Sequence, residues 1–203
     1  MSPGVPTGTP DELFIMEPTF VFVDAGYLSL ILKHLGEGKY LKIDYNQLAI
    51  TFAKSKNLWV EKAFYYTAPP YQSPSPNADE ARRKANYDRV MVRLKRIPNF
   101  IVREGRVQKV DGKYTQKGVD TLLTMDLLSI PIHIKTVVLL ACDTDFVPIL
   151  NKLRSEQNIK IILFYFNDFI RKSKFAMSNH ILTVCDECVL ITKEHFEKSF
   201  LKF

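Results

Sequence analysis

Three short apolar runs, TFVFVD, KTVVLLA and KIILFYF, constrain this chain more than any other part of its sequence. Successive side chains of a strand point to opposite faces, so a run that is apolar at every position is buried on both. A sheet covered on both sides is the mark of a parallel sheet whose crossovers are helices. Stretches of helical period separate the runs here, so the chain is expected to be α/β: a Rossmann-like three-layer sandwich with a mostly parallel central sheet. Phe20 to Val23 reads as the first strand, with Gly26 allowing a tight turn into a helix through Leu28, Leu30, Ile31 and Leu32. Val137 to Ala141 is the most apolar strand and is expected at the centre. Ile161 to Phe166 is a further buried strand.

The other elements follow from their punctuation. Asp44 with Gln47 three residues on opens a helix to about Lys56. Leu58 to Tyr66 is a strand, and APPYQSPSPN a loop. Asp79 to Ile97 reads as a helix closed by Pro98, with Ala81, Ala85, Val92 and Leu94 turned inward and its basic residues outward. Ile101 to Val110 reads as one strand, followed by an Asp111-Gly112 turn. Val119 to Ile130, Phe146 to Gln157, Asp168 to about Ile181 and Lys193 to Leu201 read as helices, with Cys188 to Ile191 a last short strand. Residues 1–18 read as a frayed Pro/Gly/Thr arm and 19–203 as a single domain.

Composition narrows the class. At 203 residues and 46% hydrophobic content the chain can bury one substantial core. No apolar run reaches the roughly 18 residues of a membrane span, so no membrane partner is expected. Three cysteines, an odd number, imply a reducing compartment without a disulfide framework, and the cytoplasm is the expected location. The net charge of +6 is uneven: residues 81–117 hold twelve Lys/Arg against three Asp/Glu, leaving the remainder slightly acidic. A basic block beside an acidic site suits an enzyme of nucleic acid, one part attracting phosphates while the other acts on one of them. The same run is equally readable as a solvated helix face.

Three acidic segments carry the chemistry. Asp24 follows the first strand, Asp120 opens a helix, and Asp143 with Asp145 follows the central strand. Loops at the carboxyl ends of parallel strands share one edge of the sheet, so Asp24 and Asp143 are expected together there. Asp120 at a helix N-terminus would be stabilised by the macrodipole and by unpaired N–H groups. Carboxylates so close repel one another unless a cation neutralises them, which argues for Mg²⁺ or Mn²⁺. Each Asp taken alone is more commonly just an N-cap of the helix that follows; the three segments together, in this order, carry the argument.

The order FVDAGYL, QKGVDTLLTMDLL, ACDTDFVPIL, SNHILTVCDECVLI resembles the NYN domains, LabA-like branch, of the PIN-like nuclease superfamily. The resemblance runs from about Thr19 to Ile191 and is most specific at Lys117-Gly118-Val119-Asp120 and at Asp143-x-Asp145-Phe146-x-Pro148. It implies a Rossmann-like sheet, dependence on Mg²⁺ or Mn²⁺, and cleavage of RNA phosphodiesters, with RNA favoured over DNA. By position Asp24, Asp120, Asp143 and Asp145 match the acidic site, the first three as metal ligands. Asp126 matches a frequent second acid of the middle motif, but on a helix it lies about 240° round from Asp120, so a supporting or structural role is expected. Two positions depart from the pattern: Tyr27 stands where the first motif commonly has Asn, and Ala141-Cys142 where the third has Ser-Gly.

Lys117 reads either as a phosphate contact or as a solvated loop lysine. Arg82, Arg83, Arg89 and Arg93 on the basic helix, with Arg103 on the next strand, are candidates to guide an RNA backbone. Tyr65, Tyr66 and Tyr71 are candidates to stack on bases or, as strand aromatics, to sit in the core. The leading reading is a metal-dependent endoribonuclease. The alternative is an inactive or weak RNA-binding or regulatory module of the same fold. A homo-oligomer paired through the terminal segments, KSFLKF among them, stays open. The RNA substrate and the pathway served are not readable from the sequence.

Overall fold

The computed structural model describes residues 16–170 and 172–201. Strands β1 (Glu17–Asp24), β2 (Leu58–Thr67), β3 (Phe100–Glu104), β6 (Thr136–Leu140), β7 (Lys160–Tyr165) and β8 (Glu187–Leu190) form a six-stranded sheet in the order β3-β2-β1-β6-β7-β8, and every neighbouring pair is parallel. Strands β4 (Arg106–Val110) and β5 (Lys113–Lys117) form a separate antiparallel hairpin. The helices are α1 (Ala25–Leu35), α2 (Tyr45–Lys54), α3 (Ala78–Leu94), α4 (Val119–Leu128), α5 (Val147–Gln157), α6 (Asn179–Val184) and α7 (Glu194–Glu197).

Alternation along the strands divides the core into two layers. Val21, Val23, Val138, Leu140, Ile162 and Phe164 pack with α1, α2 and α7 on one face. Phe20, Phe22, Val137, Leu139, Ile161 and Leu163 pack with α4, α5 and α6 on the other. Aromatic rings thicken both layers: Phe22 stacks on Phe64 at 5.0 Å, and Phe52 of α2 on Phe164 at 4.2 Å. Each fully buried side chain of this size contributes about 1.5–3 kcal/mol of transfer free energy. The expected three-layer α/β architecture is therefore what forms, with β1 and β6 central. No helix among the described residues is long and apolar enough to cross a membrane.

Five expectations change. The strand expected over Ile101–Val110 breaks at Gly105, where β3 leaves the sheet and the hairpin begins. A Cβ at Gly105 would lie 2.6 Å from the Lys117 carbonyl oxygen and 2.8 Å from Val119 Cγ2, so only glycine lets the two ends of the hairpin cross. The helix expected from Asp168 forms only at Asn179–Val184. Upstream, Asn167 Oδ1 accepts from the Phe169 N–H, and Asp168 Oδ1 accepts from the Ile170 N–H and the Ser173 hydroxyl. These side chains offer the backbone a turn in place of helical bonds.

On α3 the inward residues are Glu80, Met91 and Leu94, with Tyr87 and Val90 half-buried, whereas Ala81, Ala85 and Val92 are exposed. Of the arm expected over 1–18, residues 1–15 lie outside the described residues, and Glu17 and Pro18 already belong to β1. The helix expected over Lys193 to Leu201 forms only at Glu194–Glu197, because the residues after it pair with the body: Leu201 N–H donates to the Lys42 carbonyl, Asp44 N–H to the Ser199 carbonyl, and Phe200 bridges Ile43.

Candidate metal and nucleic-acid site

Parallel strands put their carboxyl ends along one edge, and the acidic residues meet there. Asp24 ends β1 and caps α1. Its Oδ1 accepts from the Gly26 N–H at 2.8 Å and from the Tyr27 N–H at 3.4 Å, which fixes the carboxylate and leaves Oδ2 outside these bonds. Asp143 follows the neighbouring strand β6 and caps a short 3-10 turn, Thr144–Phe146. Its Oδ1 accepts from the Asp145 N–H at 2.9 Å. Asp120 comes to the same edge by another path, at the start of α4 after the hairpin. Gly118, in the left-handed region at φ 82°, turns the chain from β5 into that helix.

Electrostatics shows how near the acids stand. Burial first, and then the charges of Asp120 and Asp143, hold the Asp24 carboxyl up at about 6 against the lowering bonds from Gly26 and Tyr27. Asp120 is also raised, first by burial and then by Asp143 and Asp145. The macrodipole of α4 was expected to favour ionised Asp120, but burial and like charge outweigh it. Cys142 lies within the same field, its thiol pushed up to about 12 by burial and by Asp24 and Asp143.

Asp24 thus feels the charges of Asp120 and Asp143, and Asp120 those of Asp143 and Asp145. Among the described residues, however, no three His, Cys, Asp or Glu side chains stand ready to grip one metal ion. The donor set suits a hard divalent cation: carboxylate oxygens alone, two of them oriented by backbone donors, and mutual repulsion that a cation would relieve. What is in place is the convergence, and the ligand shell would have to be drawn in around the ion.

The remaining candidates separate. Asp126 accepts a two-pronged bond from Arg103, at 2.8 and 2.7 Å, and one from the Tyr66 hydroxyl at 3.0 Å. Arg103 is therefore engaged in a network with the buried Tyr66, away from a free phosphate-binding role. Lys117 is exposed at the end of β5 with no ion pair among the described residues. Arg82 and Arg83 both reach Asp79 and line a large cleft, whereas Arg89 and Arg93 are exposed and unpaired among the described residues. Tyr65 and Tyr66 are core residues, and Tyr71 lines the cleft.

Tyr27, at the position where an Asn was expected to orient a ligand, is buried. Its hydroxyl donates to the Phe166 carbonyl at 3.2 Å and accepts from the Phe166 N–H at 2.8 Å, tying α1 to the end of β7. Gln116 escaped the sequence reading: its Oε1 reaches to 4.0 Å of where a Gly26 Cβ would stand, beside Asp24. The signal for it was the Asp111-Gly112 turn, because a hairpin there puts Tyr114 and Gln116 on one face.

A family model described as the NYN domain matches residues 18–192. Among curated proteins none matches. Among solved structures, the chain is similar to the crystal structure of a protein of unknown function from Vibrio parahaemolyticus. The TM-score is 0.58 at 19% identity, covering 92% of this chain and 98% of that one. That likeness shows the fold.

Proposed function

The chain belongs to the NYN domain family, a PIN-like nuclease family, and from that footing we propose that it is a metal-dependent endoribonuclease. The motifs around Asp120 and Asp143 favour the LabA-like branch. The observation that carries the reading is the meeting of Asp24, Asp120 and Asp143 at the carboxyl edge of a parallel sheet, where Asp120 and Asp143 raise the proton affinity of Asp24 and Asp143 raises that of Asp120. A bound Mg²⁺ or Mn²⁺ would supply a water of lowered pKa and neutralise charge on the scissile phosphate. Asp24 and Asp143, aimed by their backbone bonds, and Asp120 are the residues to hold it. Asp145 orients the attacking water or adds a ligand. Attack in line by that water would form a new bond to phosphorus as the P–O bond on the far side breaks, the leaving oxygen taking up a proton, and Lys117 is the candidate to meet a phosphate oxygen.

A second reading, an RNA-binding module without hydrolysis, draws on the two departures. Tyr27 spends its hydroxyl on Phe166, and Cys142 offers a protonated thiol where the pattern has small or hydroxyl residues. Incubation of RNA with Mg²⁺ or Mn²⁺, with and without EDTA, and with Asp143→Asn, separates the two. Cleavage lost in both controls is expected; cleavage that survives either one refutes the metal mechanism. Binding without cleavage under every metal condition favours the module. Single-stranded RNA, duplex RNA, tRNA and single-stranded DNA as parallel substrates define the specificity.

A further inference from the structure

Beside Asp24 the acidic edge opens into a cleft of about 1300 Å³ that begins at Gly26 and runs between α1, α3 and the hairpin. Its charge is opposite to that of the edge: among the described residues Lys33, Arg82 and Arg83 line it and no Asp or Glu does, with Asp79 pairing both arginines from outside the lining. Its outer lip is aromatic. Tyr71 of the Pro-rich loop and Tyr114 of β5 meet at 5.3 Å and 51°, with the Lys109 ammonium 6.0 and 5.5 Å from the two ring centres. Tyr114 is 54% exposed, a large apolar side chain left facing solvent at the mouth of a basic groove. The exposed Tyr40, also in the lining, has its hydroxyl hydrogen-bonded to those of Ser29 and Tyr45, a polar group able to meet the edge of a base.

The cleft is larger than the roughly 300–1,000 Å³ of a small-ligand pocket. Cations that suit phosphates, rings that suit bases, and length for more than one residue describe an unpaired nucleic-acid strand. A duplex hides its bases in the stack and cannot offer them to such a groove.

We propose that this cleft is a nucleobase subsite, in which unpaired nucleotides flanking the phosphate at the acidic edge stack on Tyr114 and Tyr71 while Lys33, Arg82 and Arg83 meet their phosphates. The position of the scissile phosphate rests on the nuclease reading; the binding of bases does not. Cleavage accordingly requires single-stranded nucleotides on the side of the cut that faces α3.

The test is fluorescence anisotropy in EDTA with a labelled single-stranded RNA, the same strand in a duplex, and the same strand carrying consecutive abasic residues. Tyr114→Ala is expected to weaken single-strand binding by about tenfold, the loss of one base-aromatic stack. Tyr114→Phe retains the ring and is expected to bind as the wild type does. Lys33→Ala is expected to weaken binding and flatten its salt dependence by about 0.7 in log–log slope. The abasic strand and the duplex are expected to bind at least tenfold more weakly. Tyr114→Ala binding within twofold of wild type, or an abasic strand or duplex bound as tightly as the intact single strand, overturns the subsite. Metal-dependent cleavage alongside such a result leaves hydrolysis standing and removes only the subsite. The expected binding pattern without cleavage under any metal condition does the reverse.

Discussion

Carboxylates crowded at a partly buried edge should weaken the fold, and Asp24→Asn measures by how much. Asp24 is raised from 3.8 to about 6, chiefly by burial and next by its acidic neighbours, so the folded protein prefers it protonated. The shift of about two pKa units corresponds to about 3 kcal/mol of destabilisation once the group is ionised. The sign follows from the folded pKa lying above the unfolded one: stability is greatest below 3.8, falls as pH rises through the window from 3.8 to about 6, and is flat above it. Asn keeps a side-chain oxygen to accept from the Gly26 and Tyr27 N–H groups but carries no charge. In EDTA at pH 8, Asp24→Asn is therefore expected to be more stable than wild type by about 3 kcal/mol, or roughly 6–12 °C in Tm for a chain of this size. At pH 4 the gap should shrink to about half a kcal/mol. Urea unfolding at pH 4, 6 and 8 measures it, and added Mg²⁺ should close the gap at pH 8 by stabilising the wild type alone. Equal stabilities at pH 8, or a gap that does not narrow toward pH 4, would show that Asp24 is not held in a charge-repelling, desolvated site.

Three further outcomes are expected. Tyr27→Phe leaves the Phe166 N–H and carbonyl without their partner, so chemical denaturation should show a loss of about 1–3 kcal/mol while RNA cleavage per folded molecule is retained. Gly105→Ala cannot fit beside the Lys117 carbonyl at 2.6 Å, so the hairpin must shift, and cleavage should fall more than the far-ultraviolet dichroism does. Arg103→Ala removes both prongs from Asp126 and leaves the carboxylate facing Tyr66 alone; a loss of about 1–3 kcal/mol in urea is expected, with the affinity for single-stranded RNA unchanged.

The sheet was legible because its signal is dense: β1, β6 and β7 are apolar at nearly every position, and such runs admit few other environments. The two acidic strand ends were legible for the same reason, since parallel strands and right-handed crossovers bring Asp24 and Asp143 to one edge. What escaped depends on contacts distant in sequence. Gly105 looks like any glycine until Lys117 and Val119 come up against it, so the break between β3 and β4 could not be read from the alternation of Ile101 to Val110. Arg103 looked free because Asp126 is twenty-odd residues away on another element. Residues 166–178 carry helical spacing, but Asn167, Asp168 and Ser173 divert the backbone with their own oxygens. Tyr27 was readable as a departure, but not as a tether, because Phe166 lies at the far end of the chain.

The ribbon formed by β4 and β5 shares no ladder with the main sheet, yet Lys117 and Asp120 follow directly from its second strand. One acidic side chain is thus delivered by the helix that follows this ribbon, α4, held in the core by Val119, Leu123 and Leu127, while Asp24 and Asp143 follow strands of the main sheet directly. Competence and foldedness become separable quantities. A change in the ribbon that shifted the start of α4 would move Asp120 relative to Asp24 and Asp143 while leaving every rung of the main sheet paired.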